Sequence, residues 1–158
     1  MKRNLSATKV QAASIHVGDV MSNNLLTVQE NDKVSTTVRR LLKRGVGSVL
    51  VMDRDDHLVG IITKGDVLRE VVMKHLDPNV VKSRDIMSEP VITIDVDSSL
   101  EDASKLMIQR KVSKLAALKD GNLKGIITST DIIRAEPLEV RYLEELVRAR
   151  FVPRDLRY

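Results

Sequence analysis

The sequence predicts a mixed α/β (α+β) protein made of two β-α-β-β-α repeats, related by a pseudo-twofold axis and packed through their sheets, plus a C-terminal helix. Three observations support this fold class. Blocks of sequence recur in order along the chain. Within each repeat, strand-like and helix-like hydrophobic patterns alternate. A repeat of about 60 residues lies near the lower limit for an independent core, so its natural partner is the other repeat.

Four blocks of the first half of the chain recur in the second half. Asp19-Val20-Met21-Ser22 returns as Asp85-Ile86-Met87-Ser88 at an offset of 66, and Gly60-Ile61-Ile62-Thr63 returns as Gly125-Ile126-Ile127-Thr128 at an offset of 65. The single deletion falls in a polar turn, where such changes are tolerated. The other paired blocks are Leu26-Thr27-Val28 with Ile92-Thr93-Ile94, and Asp66-Val67-Leu68-Arg69 with Asp131-Ile132-Ile133-Arg134.

The first repeat has the order strand, helix, strand, strand, helix. Its first helix is indicated by Val34, Val38, Leu41 and Leu42, which share one face at helical spacing. A short polar turn then joins two apolar runs, which is typical of a hairpin. In order, the predicted elements are a strand at Leu26–Val28, this helix, strands at Ser48–Met52 and Leu58–Thr63, and a helix that begins at Lys64.

The second repeat has the same order. Its first helix opens with Ser98-Ser99-Leu100-Glu101, a capping box in sequence. The apolar stripe of that helix is Leu100, Ala103, Leu106 and Met107. The remaining elements are a strand through Leu115-Ala116-Ala117, a turn at Asp120-Gly121-Asn122, a strand at Leu123–Thr128, and a helix that begins at Ser129.

The segments outside the repeats complete the domain organisation. A helix is predicted over 137–151, with Pro137 in its first turn and Pro153 as its stop. This helix either packs on the protein's own core or forms part of an interface. The chain therefore divides into a basic N-terminal arm at 1–16, a first repeat at 17–72, a linker at 73–84, a second repeat at 85–134, and a C-terminal helix and tail at 135–158.

The composition excludes several classes of function. Cysteine is absent, which excludes disulfides and thiolate chemistry. The three histidines have no metal-ligand spacing, so no metal site is expected. No apolar run approaches the roughly 20 residues that span a bilayer, and no secretory segment is evident, so we expect a cytoplasmic protein that does not enter a membrane. The net charge of +4 resides mostly in the arm, through Lys2, Arg3 and Lys9, and aromatic residues make up 2%, so the sequence argues against a nucleic-acid partner.

Two Thr-x-x-Asp motifs, Thr63 to Asp66 and Thr128 to Asp131, lie where a strand meets a helix. One interpretation is purely structural, because this spacing caps a helix. The other is ligand binding, because a carboxylate at the mouth of a cleft accepts both hydrogen bonds of a ribose diol. The two roles are compatible, since Thr can cap while Asp binds. The helix starts at Lys64 and Ser129 also offer backbone N–H groups to phosphate.

The repeats resemble CBS domains, named after cystathionine β-synthase, arranged as a tandem pair called a Bateman module. The blocks already quoted carry the resemblance, together with the 45–51 run Gly-Val-Gly-Ser-Val-Leu-Val and its counterpart Val112-Ser113-Lys114-Leu115. The resemblance covers 17–134. It implies clefts between the repeats that bind adenosine-containing ligands, a disc-shaped homodimer, and a regulated partner protein. No catalytic domain accompanies the pair, so we expect a stand-alone module of the archaeal or bacterial type.

The resemblance also implies roles for individual residues. Lys114 faces phosphate, whereas Ser48 holds the same position in the first repeat, so the two repeats are not equivalent. Lys64, Arg69 and Arg134 are candidate helpers. Alternatively, Lys114 is one exposed lysine among many. The backbone of Thr27 and Thr93 is expected to line an adenine pocket beside the apolar residues Val28 and Ile94, although Thr also serves as a plain strand former. Gly47 and Ser113 are expected to supply further pocket wall, and Gly47 equally fits a simple strand-entry glycine.

The predicted function is therefore a non-catalytic regulatory module that senses an adenosine-containing ligand and signals to a partner protein. One clear phosphate cation, Lys114, favours AMP or ADP over ATP or S-adenosylmethionine. No cofactor is required, because the nucleotide acts as a regulatory ligand. Two alternatives remain open: a ligand-free structural scaffold, and a nucleic-acid-associated regulator that uses the basic arm.

Overall fold

The computed structural model describes residues 15–135. Most of the basic arm and the helix predicted over 137–151 lie outside these described residues. Within residues 15–135, no helix has the length and hydropathy that crossing a membrane would require.

Each repeat contains the predicted order of strand, helix, strand, strand, helix, preceded by a short helical turn. In the first repeat these elements are the turn α1 (Val17–Val20), β1 (Thr27–Gln29), α2 (Val34–Arg44), β2 (Ser48–Met52), β3 (Leu58–Thr63) and α3 (Lys64–Val67), which continues as a π-helical turn (Leu68–Val72). In the second repeat they are a 3₁₀ turn (Ser83–Asp85), β4 (Thr93–Asp95), α4 (Leu100–Arg110), β5 (Lys114–Lys119), β6 (Asn122–Thr128) and α5 (Ser129–Ala135).

Each repeat forms a three-stranded sheet with a parallel and an antiparallel pair. In the first sheet β2 lies between the parallel strand β1 and the antiparallel strand β3, and β5 has the same place between β4 and β6. The helices cover one face of each sheet and bury two separate apolar clusters. Leu50 and Ala116 are buried but belong to neither cluster. Because side chains alternate along a strand, these two face the opposite side, where the repeats meet.

The opening segment of each repeat packs on the other repeat, which the sequence alone did not reveal. Val17 lies in the apolar cluster of the second repeat, and its N–H donates to the Ser98 carbonyl at 2.9 Å. Ile86 lies in the cluster of the first repeat. Isolated β-bridges pair Ser22 with Ile126 and Ser88 with Ile61. The opening segments, 17–22 and 83–88, are thus exchanged between the repeats. The two repeats are therefore interlocked, although each is continuous in sequence.

This exchange explains the recurring Met and Gly of the repeated blocks. Met21 packs over Gly125 of the second repeat, and Met87 packs over Gly60 of the first. A β-carbon on Gly125 would lie 2.4 Å from Met21 Sδ, and one on Gly60 would lie 2.3 Å from Met87 Sδ. No side chain fits there without movement, so each glycine provides the space for the methionine from the other repeat.

Two details of the helices differ from the prediction, one in the buried face of α2 and one in the cap of α4. On α2, Leu42 was expected on the buried stripe but is 68% exposed, and Thr37 is buried instead. The hydroxyl of Thr37 is satisfied by a partner, which makes burial of this polar side chain possible. On α4, the cap is one residue later than the box at Ser98 predicted. Ser99 Oγ accepts a hydrogen bond from the Asp102 N–H at 3.0 Å.

The buried polar pair of the first repeat gives a direct test of packing. Thr37 Oγ1 and Ser83 Oγ are hydrogen-bonded at 2.8 Å, and both residues are fully buried. The equivalent positions of the second repeat are Ala103 and Val17, both apolar and buried. Thr37→Ala should lower the free energy of unfolding by about 1–3 kcal/mol, because it strands the Ser83 hydroxyl.

The pair Thr37→Ala with Ser83→Val reproduces the apolar arrangement of the second repeat. We expect this double variant to recover most of the loss, since removing both polar partners avoids an unsatisfied group. Urea unfolding of the two single variants and the double variant measures the coupling. If the double variant lowers the free energy of unfolding by the sum of the two single effects, the hydrogen bond between Thr37 and Ser83 does not explain the destabilisation.

Candidate functional site

A cleft of about 420 Å³ lies between the two repeats. The first repeat contributes the segment 22–26, which connects α1 to β1, and the turn 45–48, which connects α2 to β2. The second repeat contributes residues from the start of β5, the end of β6 and the start of α5. The volume falls within the usual range for small-molecule sites. Its walls come from both repeats, so an occupant would contact both.

Thr128 and Asp131 form a helix cap at one wall of this cleft. Asp131 Oδ2 accepts hydrogen bonds from the Thr128 N–H at 2.8 Å and from the Thr128 hydroxyl at 2.7 Å. The Asp131 N–H in turn donates to Thr128 Oγ1 at 3.2 Å. Among residues 15–135, no hydrogen bond uses Asp131 Oδ1. The structural interpretation of this motif is thus correct, and it leaves one carboxylate oxygen available.

Lys114 lies at the start of β5, directly opposite Thr128 in the antiparallel register. Its side chain reaches the turn of the first repeat, where a β-carbon on Gly47 would lie 3.7 Å from the Lys114 Nζ atom. In the first repeat, Ser48 lies opposite Thr63 in the same way. The register therefore supports the predicted equivalence of Lys114 and Ser48, and it shows that the two repeats present different chemistry here.

The cleft has a positive balance of charge. Lys114 and Arg134 line it together with the single carboxylate of Asp131. In the part of the chain that the structure describes, neither cation forms an ion pair with a carboxylate. Arg44 also approaches the rim, where it donates a hydrogen bond to Asn24 Oδ1. An anionic group bound in this cleft would thus meet two cations directly.

The equivalent motif of the first repeat is arranged differently. Asp66 is 5% exposed, and its Oδ2 accepts hydrogen bonds from the Thr63 N–H and the Thr63 hydroxyl, both at 2.7 Å. Its Oδ1 accepts from Arg69 Nη2 at 2.5 Å and from the Ser88 hydroxyl at 3.4 Å. Both oxygens of Asp66 are therefore engaged by the protein itself, whereas among the described residues only Oδ2 of Asp131 is.

The structure brings together some of the predicted site residues and separates others. The predicted residues that line the cleft are Gly47, Ser48, Lys114, Thr128 and Asp131, together with the candidate helper Arg134. Thr63, Lys64 and Asp66 lie at the other strand-to-helix junction, and Lys64 is exposed. Ser113 and Ser129 line a separate cavity on the helix side of the second repeat.

The four strand residues assigned to the adenine pocket are not among the residues that line this cleft, and the expected backbone contact of Thr27 and Thr93 stays a prediction. Val28 and Ile94 lie in the apolar clusters, because alternation along β1 and β4 turns them toward the helices. Thr27 and Thr93 are exposed on the other side of the same strands. The neighbouring residue Leu26 lines the cleft in their place.

Sequence reasoning missed the contribution of the segment 22–26. Ser22, Asn24 and Leu25 line the cleft because the opening segment of the first repeat crosses to the second. The signal was present in the recurrence of Ser22 as Ser88, at the end of a repeated block. Both serines lie beside a cap aspartate, Ser22 in the same cleft as Asp131 and Ser88 in contact with Asp66.

Comparison with known proteins finds a matching family and several relatives. A family model described as "CBS domain" matches the chain twice, at 17–73 and 83–137. An uncharacterized protein from Methanopyrus kandleri is 35% identical over 84% of this chain and 68% of its own length. Another, from Methanocaldococcus jannaschii, is 30% identical over 75% of this chain. This chain spans only 31% of that second relative.

Solved structures show the same fold. An uncharacterized conserved protein from Pyrococcus horikoshii has a TM-score of 0.72 and 26% identity, over 77% of this chain and 92% of its own. A conserved CBS domain protein of unknown function from Thermoplasma acidophilum has a TM-score of 0.75 at 22% identity, over 87% of this chain and 78% of its own. The chain belongs to the CBS domain family and contains a tandem pair of these domains.

Proposed function

We propose that this protein is a non-catalytic regulatory module that binds an adenosine-containing ligand in the cleft between its repeats. Tandem CBS domains are typical of regulatory modules. The observation that carries the proposal is the pairing of Asp131, whose Oδ1 accepts no hydrogen bond from residues 15–135, with Lys114 and Arg134 in one cleft. This combination suits a molecule that carries both a diol and a phosphate.

The ligand would contact three parts of the cleft. Asp131 Oδ1 has room for the two hydroxyls of a ribose, because a carboxylate oxygen accepts two hydrogen bonds. Lys114 and Arg134 would contact phosphate. The half-buried side chains of Leu26, Val46 and Ile126 offer an apolar wall to the base. The lining residues include no histidine, and their one carboxylate is a helix cap, which supports binding without chemistry.

The charge balance favours AMP or ADP over the other candidates. Two lining cations match one or two phosphates, whereas a triphosphate brings more negative charge than they neutralise. S-adenosylmethionine carries a positive sulfonium, which Lys114 and Arg134 would repel. Because the cleft has walls from both repeats, occupancy would favour one relative position of the repeats. A partner protein that distinguishes those positions would receive the signal.

A second copy of this chain is the proposed partner of the helical face of the first repeat. Leu42 on α2, and Leu68 and Val72 on the helix that follows β3, are more than half exposed, and α2 packs against α3. Exposed apolar residues on helices that pack together are typical of interfaces. Sedimentation equilibrium should therefore give twice the mass of the chain. A monomer would contradict the homodimer and leave this face to the regulated partner.

Thermal unfolding with AMP, ADP, ATP and S-adenosylmethionine tests the proposed function. A ligand at 100 times its dissociation constant stabilises a protein by about 2.7 kcal/mol, which corresponds to roughly 5 to 10 °C for a chain of this size. We expect shifts of this size for AMP and ADP. A folded protein that none of the four compounds stabilises would contradict the proposal and favour a structural scaffold.

Replacing Lys114 tests the assignment of the phosphate contact. Lys114→Ala should weaken ADP binding about tenfold or more, because a hydrogen bond from a charged group is lost. Adenosine, which has no phosphate, should bind the variant within about twofold of the original chain. Calorimetric titration of both compounds gives the two ratios. Lys124→Ala removes an exposed lysine from β6 outside the cleft and is the matched control. Equal losses for ADP and adenosine would exclude Lys114 as the phosphate contact.

A further inference from the structure

In both repeats, the sequence supplies a serine and an arginine as potential partners of the cap aspartate. Asp66 has Ser88 and Arg69 as hydrogen-bond partners. The equivalent residues around Asp131 are Ser22 and Arg134, and all three line the open cleft. The chemistry of the two positions is thus the same in sequence, but the arrangement differs in space.

The position at Asp66 is filled by the protein's own side chains. Two donors from Thr63 occupy Oδ2, and Arg69 and Ser88 occupy Oδ1. A carboxylate offers about four lone-pair sites, so no acceptor remains for a ribose diol. Asp131 has the same two donors on Oδ2 and none on Oδ1 within residues 15–135.

A second anchor holds Arg69 in this position. Arg69 Nε donates to Glu70 Oε1 at 3.2 Å, and Glu70 also accepts a hydrogen bond from Lys74. The Lys74 hydrogen bond, with a smaller contribution from Arg69, lowers the pKa of Glu70, so the anchor is ionised at neutral pH. The residue equivalent to Glu70 in the second repeat is Ala135, which offers no anchor to Arg134. Within residues 15–135, Arg69 is therefore held at two points, whereas Arg134 makes neither a salt bridge nor a side-chain hydrogen bond.

We propose that Arg69, positioned by Glu70, closes the site at Asp66, so that each chain binds one adenosine-containing ligand, at Asp131. This inference rests on the proposed function and specifies its stoichiometry. A nucleotide entering at Asp66 would first have to displace a charge-assisted hydrogen bond. We expect its affinity there to be at least tenfold weaker than at Asp131.

Equilibrium dialysis with radiolabelled AMP counts the sites directly. The original chain should bind one AMP per chain. Arg69→Ala removes the charged donor from Asp66 Oδ1 and leaves there only the Ser88 hydroxyl at 3.4 Å, a weak contact that a ribose hydroxyl can displace. The count should therefore rise to two. Arg69 is 63% exposed on its side chain, so this change leaves the core intact. Glu70→Ala removes the anchor and should give a weak second site without touching Asp66. Arg39→Ala removes an exposed arginine of α2 and should leave the count at one.

The outcomes separate this inference from the proposed function. Two equal sites in the original chain would overturn the closure by Arg69 while leaving the proposed function intact. A count that stays at one in both Arg69→Ala and Glu70→Ala would also overturn it, because the site would then be closed by something else. No bound AMP in any variant would overturn both proposals together.

Discussion

Asp131→Ala is expected to weaken AMP binding by about 100-fold or more while the protein remains folded. The proposed ribose contact consists of two hydrogen bonds to the ionised carboxylate, each worth about 1.5–3 kcal/mol. Together they correspond to at least two powers of ten in the dissociation constant. The same change removes a helix cap at α5, which costs roughly 1 kcal/mol of stability. Calorimetric titration measures the first effect, and urea unfolding measures the second.

Asp66→Ala is the matched control for this prediction. It removes an equivalent cap, with the same hydrogen bonds to Thr63, and lowers stability in the same way. Because Asp66 is engaged by Arg69 and Ser88, its removal should leave AMP affinity at Asp131 within about twofold. If both variants lose AMP equally, the effect comes from general loss of structure, and the assignment of Asp131 as the ribose contact fails.

Gly125→Ala and Gly60→Ala are expected to lower the free energy of unfolding by about 1–3 kcal/mol each. The added methyl group at Gly125 would collide with the Met21 side chain and approach the Ser22 carbonyl at 3.0 Å. At Gly60 it would collide with Met87, including its β-carbon at 2.9 Å. The β-carbon of Met87 cannot move aside as the flexible end of its side chain can, so the backbone around Met87 must shift.

Two further variants show whether the clash is the cause. Gly65→Ala adds the same methyl group in α3, where its nearest neighbour is Thr63 Oγ1 at 3.6 Å, and should be neutral or slightly stabilising. Gly60→Ala made in a Met87→Ala background should cost less than in the original chain, because the colliding side chain is gone. Additive losses in urea unfolding would contradict the exchanged packing of the opening segments.

The order of elements was predictable because the chain contains the same sequence pattern twice. The single deletion between the two copies marks the turn that joins the last two strands, and all five predicted elements of each repeat are confirmed. Finer details depend on tertiary contacts. Leu42 fits the helical stripe but is exposed, while Thr37 is buried because Ser83 satisfies its hydroxyl. Hydrophobic periodicity alone contains no information about that partner.

The polar and charged residue types of the candidate site were predictable from the sequence, but the complete set of residues that line the cleft was not. Thr-x-x-Asp and the basic residue at Lys114 are visible in sequence, and the structure places the second copy of the motif beside that lysine. The segment 22–26 joins them because the opening segments are exchanged between repeats. A sequence repeat shows which residues are equivalent. It does not show whether they pack within a repeat or across to the other.

Titration of ¹⁵N-labelled protein with AMP, followed by amide chemical shifts, reports both whether AMP binds and where it binds. We expect the perturbed amides to cluster at 22–26, 45–48 and 128–131, with smaller changes around Asp66. The absence of any shift at saturating AMP would contradict the proposed ligand. Shifts confined to the helical faces, with the cleft unaffected, would contradict the proposed site.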